Sequence, residues 1–259
     1  MPEITNAKRV HVSATPADLT DYVSDRFLRR LEIESASRPI HISLTGGSMG
    51  IGTLAAAARN PRIAAVNWAN VHFWWSDERF VERDSDERNE KQARDALLAQ
   101  LDIPAENIHV PASTDDGIDL DAAAARYAAE LARFAASPDQ AWPHFDICFL
   151  GVGPDAHIAS LFPDRSEITV TDATVLPVRN SPKPPPERVT FTRPVINSSE
   201  RIWLVMAGTD KAAALGLALA GANYASVPAA GAHGTRRTVF FVDEAAAAQV
   251  PAELIDPEY

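Results

Sequence analysis

The sequence predicts an α/β protein with a doubly wound, mainly parallel sheet and helices on both faces. Three observations carry this. Short apolar runs of strand length recur along the chain, helical patterns lie between them, and most of the runs are too uniformly apolar for strands with one wet face. Of the 259 residues, 46% are hydrophobic and 23% charged, enough apolar material for a sizeable core. One domain over residues 1–259 is expected.

The elements follow in order. Thr15 and Pro16 suit the N-cap and first position of a helix over 15–31, in which Leu19, Tyr22, Val23, Phe27 and Leu31 share one face. PIHISLT (39–45) alternates Ile40, Ile42 and Leu44 with polar residues, a strand period. VHFWWS (71–76), FDICFLG (145–151), RIWLVMAG (201–208) and TVFFVD (238–243) read as buried parallel strands. Helices are expected over 49–58, 86–101, 119–136 and 209–220, where alanine is frequent. SPKPPPERV (181–189) must be extended, and reads as a surface connection within the α/β layer.

A net charge of −11 argues against binding nucleic acid or an anionic membrane surface, although a locally basic pocket can still take an anionic substrate. MPEITNAKRV has no apolar signal region and no stretch approaches a membrane span, so a cytoplasmic protein is expected. The single cysteine, Cys148, excludes an intrachain disulfide and a CxxC metal site; inside FDICFL it reads as core.

Ligands of open α/β sheets bind outside the carboxyl ends of the strands, and four strands here end in unusual chemistry. TGGS (45–48) offers backbone N–H groups at a helix start, fit for an anion such as phosphate, though a tight turn explains the glycines equally well. Gly46-Gly47-Ser48-Met49-Gly50 also fits the G-x-S-x-G elbow of a serine nucleophile, against which stands its place after the first evident strand. SDERF (76–80) puts Asp77, Glu78 and Arg79 beside the core, where charges pair with each other or with a ligand; a solvated turn is the alternative. GVGPDA (151–156) loosely fits a dinucleotide fingerprint, but Pro163 follows too soon for the helix that fingerprint needs. His157, in the same stretch, is placed for general base catalysis, with Asp155 two residues earlier to orient it. His41 and His72 read as structural, and nothing ties His233 to chemistry. Lys211 in AGTDK opens a helix, where the macrodipole disfavours a cation unless an anion joins it; a snorkelling surface lysine is the alternative.

TGGS, SDER with Asn89, GVGPDAHIASLFP, SPKPPPERVT and MAGTDKAAAL together resemble the 6-phosphogluconolactonases in order and spacing, from about residue 40 to 245. That family shares an α/β fold with the glucosamine-6-phosphate deaminases. The deaminases carry an HIAFNEP-like segment with a catalytic glutamate; this chain has Ser160, Leu161 and Phe162 there, and Arg79 where deaminases tend to have an aromatic residue. The resemblance therefore implies a lactonase. Two departures, Ala156 and Asp164 in place of common glycines, bear on loop geometry, since alanine tolerates positive φ poorly.

The implied substrate is 6-phospho-D-glucono-1,5-lactone, hydrolysed to 6-phospho-D-gluconate in the oxidative pentose phosphate pathway. His157 would activate water with Asp155 holding it, glycine-loop amides would be oxyanion-hole candidates, and Gly153 would be among the substrate- or phosphate-binding residues. The resemblance places the phosphate on Arg79 and Lys211 beside Gly46, Gly47 and Ser48, with Arg188 a further candidate and Asp77 and Asn89 among the substrate contacts. No metal or cofactor is expected, and a monomer is. The rivals are a deaminase-like sugar-phosphate enzyme, a serine hydrolase using Ser48, and a non-catalytic sugar-phosphate sensor.

Overall fold

The apolar runs form a six-stranded sheet. In the computed structural model, which describes residues 8–256, the strands are β1 (Lys8–Ser13), β2 (Ile40–Leu44), β3 (Val71–Trp75), β5 (Phe145–Gly151), β8 (Arg201–Met206) and β9 (Arg237–Asp243). Their order is β1-β9-β8-β5-β2-β3, with every neighbouring pair parallel. Successive side chains serve opposite faces. In β3, Phe73 and Trp75 join one apolar cluster and Trp74 the other; in β5, Ile147 and Phe149 oppose Cys148 and Leu150.

Helices α1 (Pro16–Ser35), α2 (Gly47–Arg59) and α3 (Asn89–Ala96) supply the first cluster, with Leu19, Phe27, Leu54 and Ala93 on the sheet. Thr15 caps α1 as its sequence requires, accepting from the Asp18 amide at 3.1 Å. Across the sheet lie α4 (Leu120–Arg133) and α6 (Ala212–Leu219), with Tyr127, Leu131 and Leu215 in the second cluster. A short α5 (Arg193–Asn197) precedes β8. The helix expected over 86–101 is only α3 followed by a 3-10 turn, and the one over 209–220 likewise begins as a 3-10 turn at 209–211.

A second sheet departs from the expected layout. β4 (Asp77–Arg79), β7 (Arg188–Phe191) and β6 (Val175–Val178) pair antiparallel in that order. SDER is therefore a strand rather than a loop, and the end of SPKPPPERV pairs with it instead of running free over the surface. β1 also lacks a counterpart among the expected strands, although Val10 and Val12 alternate there with His11 and Ser13.

At the amino ends of β2 and β3, opposite the strand ends singled out above, His72 stacks on His41 and His109, and His109 on Trp74. His41 and His72 centroids lie 4.6 Å apart, and Trp74 and His109 centroids 3.8 Å. Trp74 Nε1 donates to His41 Nδ1 at 3.0 Å, while His109 meets His72 at 3.0 Å and Glu130 at 2.8 Å. Burial drives the His41 ring down to about 3 and His109 to about 4, and it lowers His72. These values lie below the unfolded value of about 6.5, so the unfolded chain binds more protons in that window. Stability is complete above about pH 6.5 and is lost as pH falls toward 4. The unfolding free energy in urea is expected to drop by on the order of 2 kcal/mol from pH 7.5 to 5.0, and by less in His41→Asn. A flat profile in the wild type contradicts this account.

Candidate active site

β2 passes its chain outward to α2 and β3, whereas β5 passes its chain the other way, toward β8. The crevice between their carboxyl ends is the switch point of the sheet. Thr45 Oγ1 bridges it by accepting from the Gly151 amide at 3.1 Å. A cavity of about 260 Å³ opens there. Gly46, Gly47, Gly153, His157, Arg79, Asn89 and Lys211 are among the residues that line it. A larger hollow of about 460 Å³ beside His72 and His109 has its histidines already bonded to each other and to Glu130.

His157 is held from three directions. Its Nδ1 lies 2.6 Å from Asp155 Oδ1, its ring sits 4.7 Å from that of Phe162, and its carbonyl accepts from the Gly153 amide at 3.1 Å. Arg188 backs Phe162, with Cζ 5.7 Å from the ring centre. Gly153 provides the room: a Cβ there would lie 2.1 Å from His157 Nδ1 and 2.3 Å from Asp155 Oδ1. Burial raises the Asp155 carboxyl, but hydrogen bonds and charges from His157 and Lys183 outweigh it and hold the group well below the usual carboxylate range. A carboxylate that accepts from Nδ1 leaves Nε2 of the imidazole as the base. This bond is the orienting contact expected of Asp155. Gly153, expected among the substrate contacts, lines the cavity with its amide engaged by the His157 carbonyl, and its lack of a side chain leaves room for the pair.

Arg79 and Asn89 are organised by Glu78, which is 1% exposed. Its carboxylate accepts from the Arg79, Asn89 and Glu90 amides, each at 2.8 Å, and so caps the start of α3. Burial pushes this carboxyl up to about 7, against the pull of the Arg88 charge and the three amides. The cap fixes Asn89, whose Nδ2 donates to the Asp77 carbonyl at 2.8 Å. Asn89 Oδ1 then lies against Gly46, where a Cβ would approach it to 1.9 Å. Both Asn89 Oδ1 and Arg79 Nε are buried without a protein partner, and both residues line the cavity. Such atoms at a cavity wall invite a ligand.

Lys211 reaches the cavity from the 3-10 turn ahead of α6, with Nζ 3.1 Å from Asp210. An adjoining hollow of about 140 Å³ shares Gly46, Gly47 and Lys211 and adds Ser48 at the open first turn of α2. The helix N-terminus and the ammonium converge there on an anion's requirements.

Two expected substrate contacts turn inward. Asp77 Oδ2 accepts from Ser160 Oγ at 2.7 Å and lies 3.9 Å from Arg188 Nη1. Arg188, 4% exposed, gives Nε to the Pro185 carbonyl and Nη2 to the Lys183 and Pro184 carbonyls, at 2.9–3.1 Å. With Nη1 facing Ser160 at 3.4 Å, every nitrogen of this guanidinium has a protein acceptor. Both side chains border the cavity, but their polar heads frame it.

The competing motif readings find no support. The left-handed residue of the GGSMG turn is Gly47 (φ 78°), not Ser48, and among the described residues no histidine hydrogen-bonds Ser48. No helix follows the glycines of 151–156. Burial pushes the Cys148 thiol up to about 12, leaving it an inert core residue. Ala156 keeps a left-handed backbone (φ 66°) despite its Cβ, and Asp164 does the same (φ 57°) with its carboxylate held by Ser226 at 2.7 Å. Among the described residues, one trio, His144, Asp146 and Glu200, has metal-ligand spacing, but Arg38, Arg201 and Arg236 already pair its carboxylates. Lys183, between two prolines of the 181–189 segment, is a cavity residue that the sequence pattern did not single out.

The family profile described as glucosamine-6-phosphate isomerases/6-phosphogluconolactonase matches residues 14–241. The chain belongs to this family. Among its relatives, a 6-phosphogluconolactonase of Mycobacterium leprae is 50% identical over 212 residues, covering 81% of this chain and 85% of the relative. One of Streptomyces coelicolor is 43% identical over 244 residues, covering 92% and 93%. The solved structure of 6-phosphogluconolactonase from Trypanosoma brucei superposes with a TM-score of 0.80 at 28% identity, covering 94% of this chain and 99% of that one. The expected mainly parallel α/β fold with helices on both faces is the fold of this family.

The Glu78 cap gives a test independent of any ligand. Glu78→Ala strands three buried amides and is expected to lower the unfolding free energy by ~2–4 kcal/mol in urea, with Glu78→Gln losing less. A change within ~0.5 kcal/mol for Glu78→Ala contradicts the assigned role.

Proposed function

We propose that the protein hydrolyses 6-phospho-D-glucono-1,5-lactone to 6-phospho-D-gluconate in the oxidative pentose phosphate pathway, with water activated by His157. The observation that carries the mechanism is the 2.6 Å bond between His157 and an ionised Asp155 at a cavity that Arg79 and Lys211 also line. Its relatives named 6-phosphogluconolactonase support the substrate.

In this reading the phosphate lies by Lys211, Arg79 and the open amides of Gly47 and Ser48, and Asn89 Oδ1 accepts from a sugar hydroxyl. Binding at that end presents C1 of the lactone to His157. Nε2 takes a proton from water as the water oxygen bonds to C1, giving a tetrahedral oxyanion. Collapse re-forms the carbonyl and breaks the bond from C1 to the ring oxygen, which receives the proton from the imidazolium. Asp155 holds the ring through both transfers. No acid beyond this pair is required, in keeping with Ser160 standing where a deaminase-like segment would carry a carboxylate. The proposal takes the chain as a single catalytic domain, working as a monomer in the cytoplasm. Among the described residues, no helix is long and apolar enough to cross a membrane.

Lactone disappearance, with spontaneous hydrolysis subtracted, tests the base. His157→Ala is expected to lower kcat by ~10²–10⁴-fold with a small change in KM. Near wild-type turnover would exclude the assignment. Lys211→Ala and Arg79→Ala are each expected to raise KM about tenfold, through loss of an ionic contact to phosphate. Unchanged kinetics in both removes the phosphate assignment, and ammonia release from glucosamine 6-phosphate would point to the deaminase reading.

A further inference from the structure

Lys183 touches both members of the proposed catalytic pair. Its Nζ lies 3.2 Å from Asp155 Oδ1 and 3.2 Å from His157 Nδ1. We infer that Lys183 is a positioning residue: it clamps Asp155 in place and sets a fixed cation against His157, so that the imidazole stays neutral and able to take a proton from water. The inference rests on the reading of His157 as the base.

Geometry fixes the sign of the effect. At 2.6 Å from an ionised carboxylate, His157 Nδ1 carries the proton and donates it to Asp155. The ammonium therefore cannot donate to Nδ1; it donates to Asp155 and meets the ring as a charge. Asp155 alone would favour the imidazolium, which is useless as a base, whereas Lys183 opposes that form. The remaining charged groups around the cavity do not duplicate it. Asp77 and Arg188 face each other across Ser160, Arg79 is bonded to the Glu87 carbonyl, and Lys211 pairs with Asp210 rather than with Asp155 or His157. The other ring at His157, that of Phe162, is uncharged.

The backbone delivers the lysine to this place. Arg188 holds the carbonyls of Lys183, Pro184 and Pro185, Ser181 Oγ accepts from the Lys183 amide at 3.2 Å, and the Ser181 amide closes the turn on Pro186 at 3.0 Å. The segment is thus a braced turn. The buried guanidinium fixes where its lysine emerges, and little chain entropy opposes the contact with Asp155.

The test uses the full-length chain with the His157 ring signal assigned by comparison with His157→Gln. Lys183→Met is expected to raise the ring pKa measured by NMR by about one unit, and to move the acid limb of the kcat/KM profile up equally. KM should change less than about twofold, and Lys183→Arg should restore both values. An unchanged ring pKa with a tenfold rise in KM overturns the inference and makes Lys183 a phosphate ligand. An unchanged ring pKa with unchanged kinetics overturns it as a surface ion pair. If the wild type does not hydrolyse the lactone, the functional reading falls, while the ring titration still decides whether Lys183 governs His157.

Discussion

The site depends on a buried polar knot of Asp77, Ser160 and Arg188. Asp77 arrives from the strand after β3, Ser160 from the loop after β5, and Arg188 from the strand that pairs with β4. A carboxylate and a guanidinium this deeply buried are tolerable only when each polar atom finds a partner, and a hydroxyl between them completes the set. Because its three members belong to three different segments, the knot fixes the distance between the glycine loop that carries His157 and the proline turn that carries Lys183. It also leaves the Asp77 carbonyl in place to orient Asn89. Truncating one partner would strand the others, so these residues act on the chemistry through geometry.

The small antiparallel sheet has a purpose in this light. A parallel sheet alone offers loops at its carboxyl edge, and loops are the mobile part of such folds. Here β4, β7 and β6 turn two of those connections into hydrogen-bonded strands, and Glu78 within β4 caps α3. The residues Arg79 and Asn89 are thereby held by hydrogen bonds that need no ligand. An acidic protein, at −11 overall, can in this way keep a basic pocket, because Arg79 and Lys183 are placed by the buried Glu78 and Arg188.

Much of this was legible in the sequence, and the remainder failed for identifiable reasons. The apolar runs reported β3, β5, β8 and β9, since burial on both faces leaves an unbroken signature, and β2 was legible from its alternation. β4 and β7 escaped because each has only three or four residues, too short for periodicity, and β4 consists entirely of charged residues. Asp155 and His157 could be named from adjacency on one loop. Asp77 and Arg188 were singled out as charged residues near a ligand, but a sequence cannot show that two ions lie closer to each other than to the substrate. Lys183 carried no signal beyond a lysine among prolines. Its meaning arises only when Arg188, five residues on, turns the segment toward Asp155.

The central claim is that one cavity holds a sugar phosphate in a single direction, phosphate by Lys211 and C1 by His157. A crystal structure of the complex with 6-phospho-D-gluconate tests it most directly. The account predicts the phosphate within hydrogen-bonding distance of Lys211 and Arg79, and the C1 carboxylate beside His157 Nε2. A product bound in the reverse direction, or outside the crevice between β2 and β5, would contradict it.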